Sequence, residues 1–67
     1  MTSRSLSDIE VTILRLAANG YSNKEIAEVV HLREQTIKNQ WRKILDKLDA
    51  RNKAHAVAIA LRDGLIR

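Results

Sequence analysis

The chain has no cysteine, no proline, no phenylalanine, and only two glycines in 67 residues. Without cysteine there is no disulfide framework and no thiolate metal site. Two histidines, His31 and His55, stand too far apart in sequence for a local ligand motif. No apolar run approaches the roughly 20 residues of a membrane span. The stretch Met1-Thr2-Ser3-Arg4-Ser5 lacks an apolar signal region, so a cytoplasmic protein is expected. No glycine-rich phosphate loop, cysteine nucleophile or spaced His/carboxylate cluster is present. An enzyme, a cofactor site and a metal site are therefore not expected. The near-absence of helix breakers and an apolar content of 45% suit one compact helical domain. Its length is close to the lower limit for folding without covalent or metal support.

Positive charge is present and is unevenly spread. The net charge is +4. Residues 1–30 carry three basic against four acidic side chains, and residues 31–55 carry seven against three. A segment so enriched suits a polyanion, with salt-sensitive binding through counterion release.

That basic segment contains the most regular pattern in the chain. Ile37, Trp41, Ile44, Leu45 and Leu48 recur at spacings of four, three, one and three. At about 100° per residue they fall in one arc of a helix. Trp41 therefore belongs to the core. The opposite face carries Gln35, Thr36, Asn39, Arg42, Lys43 and Asp46, with Lys38 at one edge. Taken alone, this is either a solvated surface helix or one whose polar front enters a DNA groove.

The neighbours decide. Residues 1–5 read as a short mobile arm, either a frayed terminus or one in which Arg4 touches phosphate, and residues 6–67 as the domain. Ser7-Asp8-Ile9-Glu10 is a capping box that starts a first helix, with Leu6 as its staple. Ile9, Ile13, Leu16 and Ala17 form its buried face, with Leu14 at the edge, and Gly20 closes it. Ser22 or Asn23 caps a second helix, Lys24 to Val30. Ile26, Ala27, Val29 and Val30 supply its buried side. The outward amides at its start favour a phosphate. His31-Leu32-Arg33 is the turn, pinned to the core by Leu32. Helix, short turn and amphipathic helix together make a helix-turn-helix. A fourth helix runs from about Lys53 to Asp63, stopped by Gly64. Ala56, Val57, Ala60 and Leu61 face the core there. His55, Ala58, Ile59 and Arg62 lie on the opposite arc. Ile59 thus has no evident place in the monomer core, and that arc suggests contact with a second copy. Leu65 and Ile66 are expected to fold back.

Leu6-Ser7-x-x-Glu10, Leu14, Leu16, Ala17, Gly20, Ser22-Asn23-Lys24-Glu25-Ile26-Ala27, Thr36-Ile37-Lys38, Ile44, Lys47-Leu48 and Gly64-Leu65-Ile66 stand in the order and spacing of the LuxR-type helix-turn-helix domain. The resemblance covers Leu6 to Ile66. It implies an all-α, four-helix domain whose third helix enters the major groove of double-stranded DNA. It also implies a homodimer formed through the fourth helix on a two-fold-related site. By the same resemblance Lys38, Asn39 and Arg42 match base-reading positions, and Gln35 and Thr36 match helix-start positions near phosphate or base edges; Gln35 is expected to join the base readers. Ser22, Asn23 and Lys24 match a helix start close to the DNA backbone, and phosphate contacts are expected from Lys24, Thr36, Lys43 and Lys47. Departures from the usual pattern include Gln40 for a common His, Trp41 for an aliphatic and Asp49-Ala50 for a Gly-Val pair.

The resemblance leaves no room here for a sensing or receiver domain, so a stand-alone regulator or an isolated domain is expected. The reading that follows is a sequence-specific transcription regulator. An alternative is a small interaction module that sequesters a larger LuxR-type regulator through the fourth helix. RNA polymerase is a further candidate partner, as for a sigma-factor-like helix-turn-helix.

Overall fold

A computed structural model describes residues 5–67. The expected arm over residues 1–5, with Arg4 in it, lies outside the described residues except for Ser5. The chain forms α1 (Asp8–Ala18), α2 (Asn23–Val30), α3 (Glu34–Leu48) and α4 (Lys53–Arg62), with no strand among the described residues. The all-α, four-helix class expected from the sequence is the one observed.

Local chemistry fixes the helix starts. The Ser7 hydroxyl accepts from the Glu10 amide, and the Ser7 amide donates to Glu10 Oε1 at 2.7 Å. Ser22 and Glu25 repeat the arrangement at α2, so Ser22 is the cap and Asn23 the first helical residue. Each box satisfies amides that the first turn otherwise leaves without partners. At α4, Asn52 Oδ1 accepts from the His55 amide, and His55 Nδ1 accepts from the Arg51 amide. The stops use left-handed residues. Gly20 has φ +92 and follows α1; His31 and Asp49, at φ 60 and 53, close α2 and α3. Gly64, at φ +72, turns the chain so that the Leu65 and Ile66 amides both donate to the Ala60 carbonyl. Ile66 folds back to 2% exposure, as expected.

One core joins the four helices. It comprises Ile13 and Leu14 of α1, Ile26 and Ala27 of α2, Ile37, Trp41, Ile44 and Leu48 of α3, Ala56, Ile59 and Ala60 of α4, and Ile66. The long α3 is central: it packs on each of the other helices, while α2 and α4 make no close backbone approach to one another. Full burial of a large apolar side chain contributes about 1.5–3 kcal/mol, and α3 supplies four of the core residues, more than any other helix.

Four expectations are corrected. Leu14 is fully buried rather than marginal. Val29 and Leu32 are 49% and 41% exposed, so α2 buries only Ile26 and Ala27, with Val30 half-buried. The turn is held instead by its backbone, the Leu32 amide donating to the Ala27 carbonyl at 3.0 Å. In α4, Ile59 is 7% exposed and belongs to the core, whereas Leu61 is 48% exposed. The helix is rotated from the expected arc. Its four alanines, Ala54, Ala56, Ala58 and Ala60, make two arcs nearly equally apolar. Packing then selects the arc holding the larger Ile59.

Candidate nucleic-acid interface

The surface of α3 opposite the core presents Gln35, Lys38, Asn39 and Arg42, all exposed. Gln35 Nε2 donates to Asn39 Oδ1 at 3.2 Å. That bond leaves the Asn39 amide nitrogen and a second lone pair on Oδ1 for other partners. Lys43 is exposed on one flank, and Thr36 and Gln40 are half-buried beside it. An amide, a guanidinium and an ammonium at these spacings can donate to, and accept from, base edges in a groove that admits a helix.

The back of α3 is fixed by more than apolar packing. The Trp41 indole N–H donates to Asn23 Oδ1 at 2.9 Å, which ties α3 to the first residue of α2. Lys53 Nζ lies 5.5 Å from the centroid of the Trp41 ring, within cation–π range. On the other side, Lys47 Nζ is 2.8 Å from Glu10 Oε1, linking α3 to α1. Glu10 is buried at 2% exposure. Burial pushes its carboxyl up. The hydrogen bond and charge of Lys47, with the contacts to Ser7, outweigh that and hold it below its ordinary value. Glu10 is thus ionised and compensated in the interior, a role that its place in a capping box did not reveal.

The family model for bacterial regulatory proteins of the luxR family matches residues 4–60. The chain belongs to that family. LuxR-family proteins of this type are DNA-binding helix-turn-helix transcription regulators. Response regulator protein VraR of Staphylococcus aureus is 40% identical over 62 residues, covering 92% of this chain and 30% of VraR. VraR of Staphylococcus epidermidis matches with the same identity and coverage. The chain therefore spans 30% of the length of these curated relatives. The solved structure of the transcription factor GerE superposes with a TM-score of 0.89 at 27% identity, over 92% of each chain.

Within this LuxR-type fold, the expected base-reading residues gather on one exposed face. Ser22 and Lys24 are exposed at the start of α2, and Thr36 sits half-buried in the first turn of α3. Two of the expected backbone-contacting residues have other occupations. Asn23 is half-buried, and its side-chain oxygen accepts from the Trp41 indole. Lys47 is half-buried, and its ammonium pairs with Glu10 at 2.8 Å, which holds α3 on α1. The expected dimer face changes too. Ala58 and Arg62 are exposed and His55 is half-buried, but Ile59 is inside. The outward row is Ala54, Ala58 and Leu61, flanked by His55 and Arg62. Among the described residues, no helix is long and apolar enough to cross a membrane.

Proposed function

We propose that this chain is a sequence-specific DNA-binding module of a transcription regulator, with α3 in the major groove. The observation that carries the reading is a polar reading face, Gln35, Lys38, Asn39 and Arg42, on a helix whose back is fixed to three others. Lysine or arginine can donate to guanine O6 and N7, and Asn39 can pair with adenine N6 and N7. Ser22, Asn23, Lys24, Thr36 and Lys43 supply backbone contacts that set register without reading sequence. The GerE and VraR matches support the reading, since those proteins are named as a transcription factor and a response regulator.

Selection of bound sequences from random DNA tests this directly. A recurrent motif is expected, and its absence would remove sequence specificity. Arg42→Ala should cost about 1–3 kcal/mol at the selected site and relax one base position. Equal losses on selected and random duplexes would instead make Arg42 a phosphate contact.

The proposal includes a homodimer through α4, centred on the exposed Leu61 with Ala54, Ala58, His55 and Arg62 around it. Two such helices meeting about a two-fold axis would place two α3 helices on one face of the duplex, so the selected motif should be palindromic. Leu61→Lys leaves the monomer folded in this scheme. It should weaken binding to the full palindrome far more than to a half-site, with circular dichroism unchanged. Capture of a larger LuxR-type regulator through α4 would use the same surface; tight heteromeric association with no selected DNA motif would favour it.

A further inference from the structure

We propose that the Trp41 indole positions Lys53 as a phosphate contact, holding the start of α4 in register with the start of α2 and with the reading face of α3. This rests on the DNA-binding reading above and deepens it.

Three observations carry it. First, α2 and α4 have no close backbone approach to each other. Second, one side chain touches the first residue of each: the Trp41 edge donates to Asn23 at 2.9 Å, and its ring lies 5.5 Å from Lys53 Nζ. Third, Trp41 is 3% exposed whereas Lys53 is exposed. The ring therefore covers one side of the ammonium and leaves the other open. A lysine on a flexible stem makes a poorly aimed phosphate contact, because its rotamers must be ordered on binding. The indole orders Lys53 beforehand. It also belongs to the same helix as Asn39 and Arg42, so a shift of the reading face carries both flanking helix starts with it. Outward amides and the helix dipole favour an anion at each of those starts. Trp41 is thus a positioning residue that touches no DNA itself.

The test uses the full chain and a short random-sequence duplex, on which only backbone contacts count. Affinity is measured across a salt series for wild type, Lys53→Gln, Trp41→Leu, Trp41→Phe and the Lys53→Gln/Trp41→Leu double variant. Lys53→Gln should lower the slope of log affinity against log salt by about 0.9, one phosphate contact. Trp41→Leu should lower it by a similar amount although every charge remains, and the double variant should fall no further. Trp41→Phe keeps a ring face in place of the indole; it should retain the Lys53 contribution, and it serves where leucine does not fold. In the free protein, the Lys53 side-chain protons should show a ring-current shift that Trp41→Leu abolishes. A wild-type slope for Lys53→Gln, or independent additive losses in the double variant, would overturn the proposal. So would the absence of the ring-current shift. A wild-type protein that binds no duplex would bring down the DNA-binding reading itself, an outcome distinct from these because the ring-current shift would persist.

Discussion

Ile59→Lys is expected to unfold this domain. Ile59 is 7% exposed in the core, and losing its burial alone costs about 1.5–3 kcal/mol. The lysine would also place an ammonium in the apolar core that joins the four helices, which adds a further several kcal/mol. A domain of this size has a total stability of about 3–10 kcal/mol. The sum consumes it. Far-ultraviolet circular dichroism and urea titration are the measurements. A folded Ile59→Lys protein with near wild-type stability would show that the α4 rotation is wrong. Leu61→Lys is the matched comparison, two residues along the same helix but on its solvent side, and should remain folded. The contrast governs how dimerisation can be tested at all. A loss of DNA binding by Ile59→Lys would report unfolding, whereas the same loss by Leu61→Lys would report the interface.

Lys47→Ala is expected to destabilise the fold by about 2–3 kcal/mol, less than the loss of a fully buried pair because Lys47 is partly exposed. Lys47 is 34% exposed at its side chain, but its partner Glu10 is only 2% exposed. Removing the ammonium strands a carboxylate that only Ser7 then contacts. The pH dependence gives a sharper signature. In the wild type the Glu10 carboxyl lies below its ordinary value of 4.5. As pH falls past that value the unfolded chain binds the proton first, so the stability Glu10 contributes at neutral pH is lost on acidification. In Lys47→Ala, burial is opposed by Ser7 alone. The carboxyl should rise, and this residue's contribution should improve as it becomes protonated. Adding Glu10→Gln to Lys47→Ala should recover most of the loss, because a glutamine can still serve the capping box while bearing no charge. Chemical denaturation of the three proteins at neutral and acidic pH is the check. Identical pH profiles for wild type and Lys47→Ala would remove the Glu10–Lys47 pair from the account of stability.

These two residues also show where the sequence was readable. Capping boxes are local: Ser7 and Glu10, or Ser22 and Glu25, are three positions apart and identify themselves. The α3 stripe is equally plain, because isoleucine, tryptophan and leucine contrast sharply with lysine, asparagine and arginine. Trp41 followed its spacing into the core. The face bearing Gln35, Lys38, Asn39 and Arg42 was legible for the same reason. The Glu10–Lys47 pair was not, since it joins residues 37 apart and each reads as an ordinary surface charge on its own helix. Asn23 was legible as a helix start but not as the acceptor for Trp41, which is 18 residues away. In α4 the contrast itself is weak. Alanine is small enough for either face, so the pattern could not tell which arc Ile59 would follow. Leu32 failed for another reason: a turn held by its own backbone needs no apolar anchor.

The two capping boxes are alike in composition but not in what happens after the first turn closes. At α2, Glu25 is exposed, and among the described residues its carboxylate is bonded to the Ser22 amide of the local box. At α1, the same Glu10 oxygen that accepts from the Ser7 amide also accepts from Lys47, which is part of α3. Unwinding the start of α1 therefore releases an interaction that holds the long central helix, whereas unwinding the start of α2 does not. Local opening of the two helix starts should differ accordingly. Amide hydrogens in the first turn of α1 should exchange in step with those of α3, and those in the first turn of α2 should exchange earlier, by fraying.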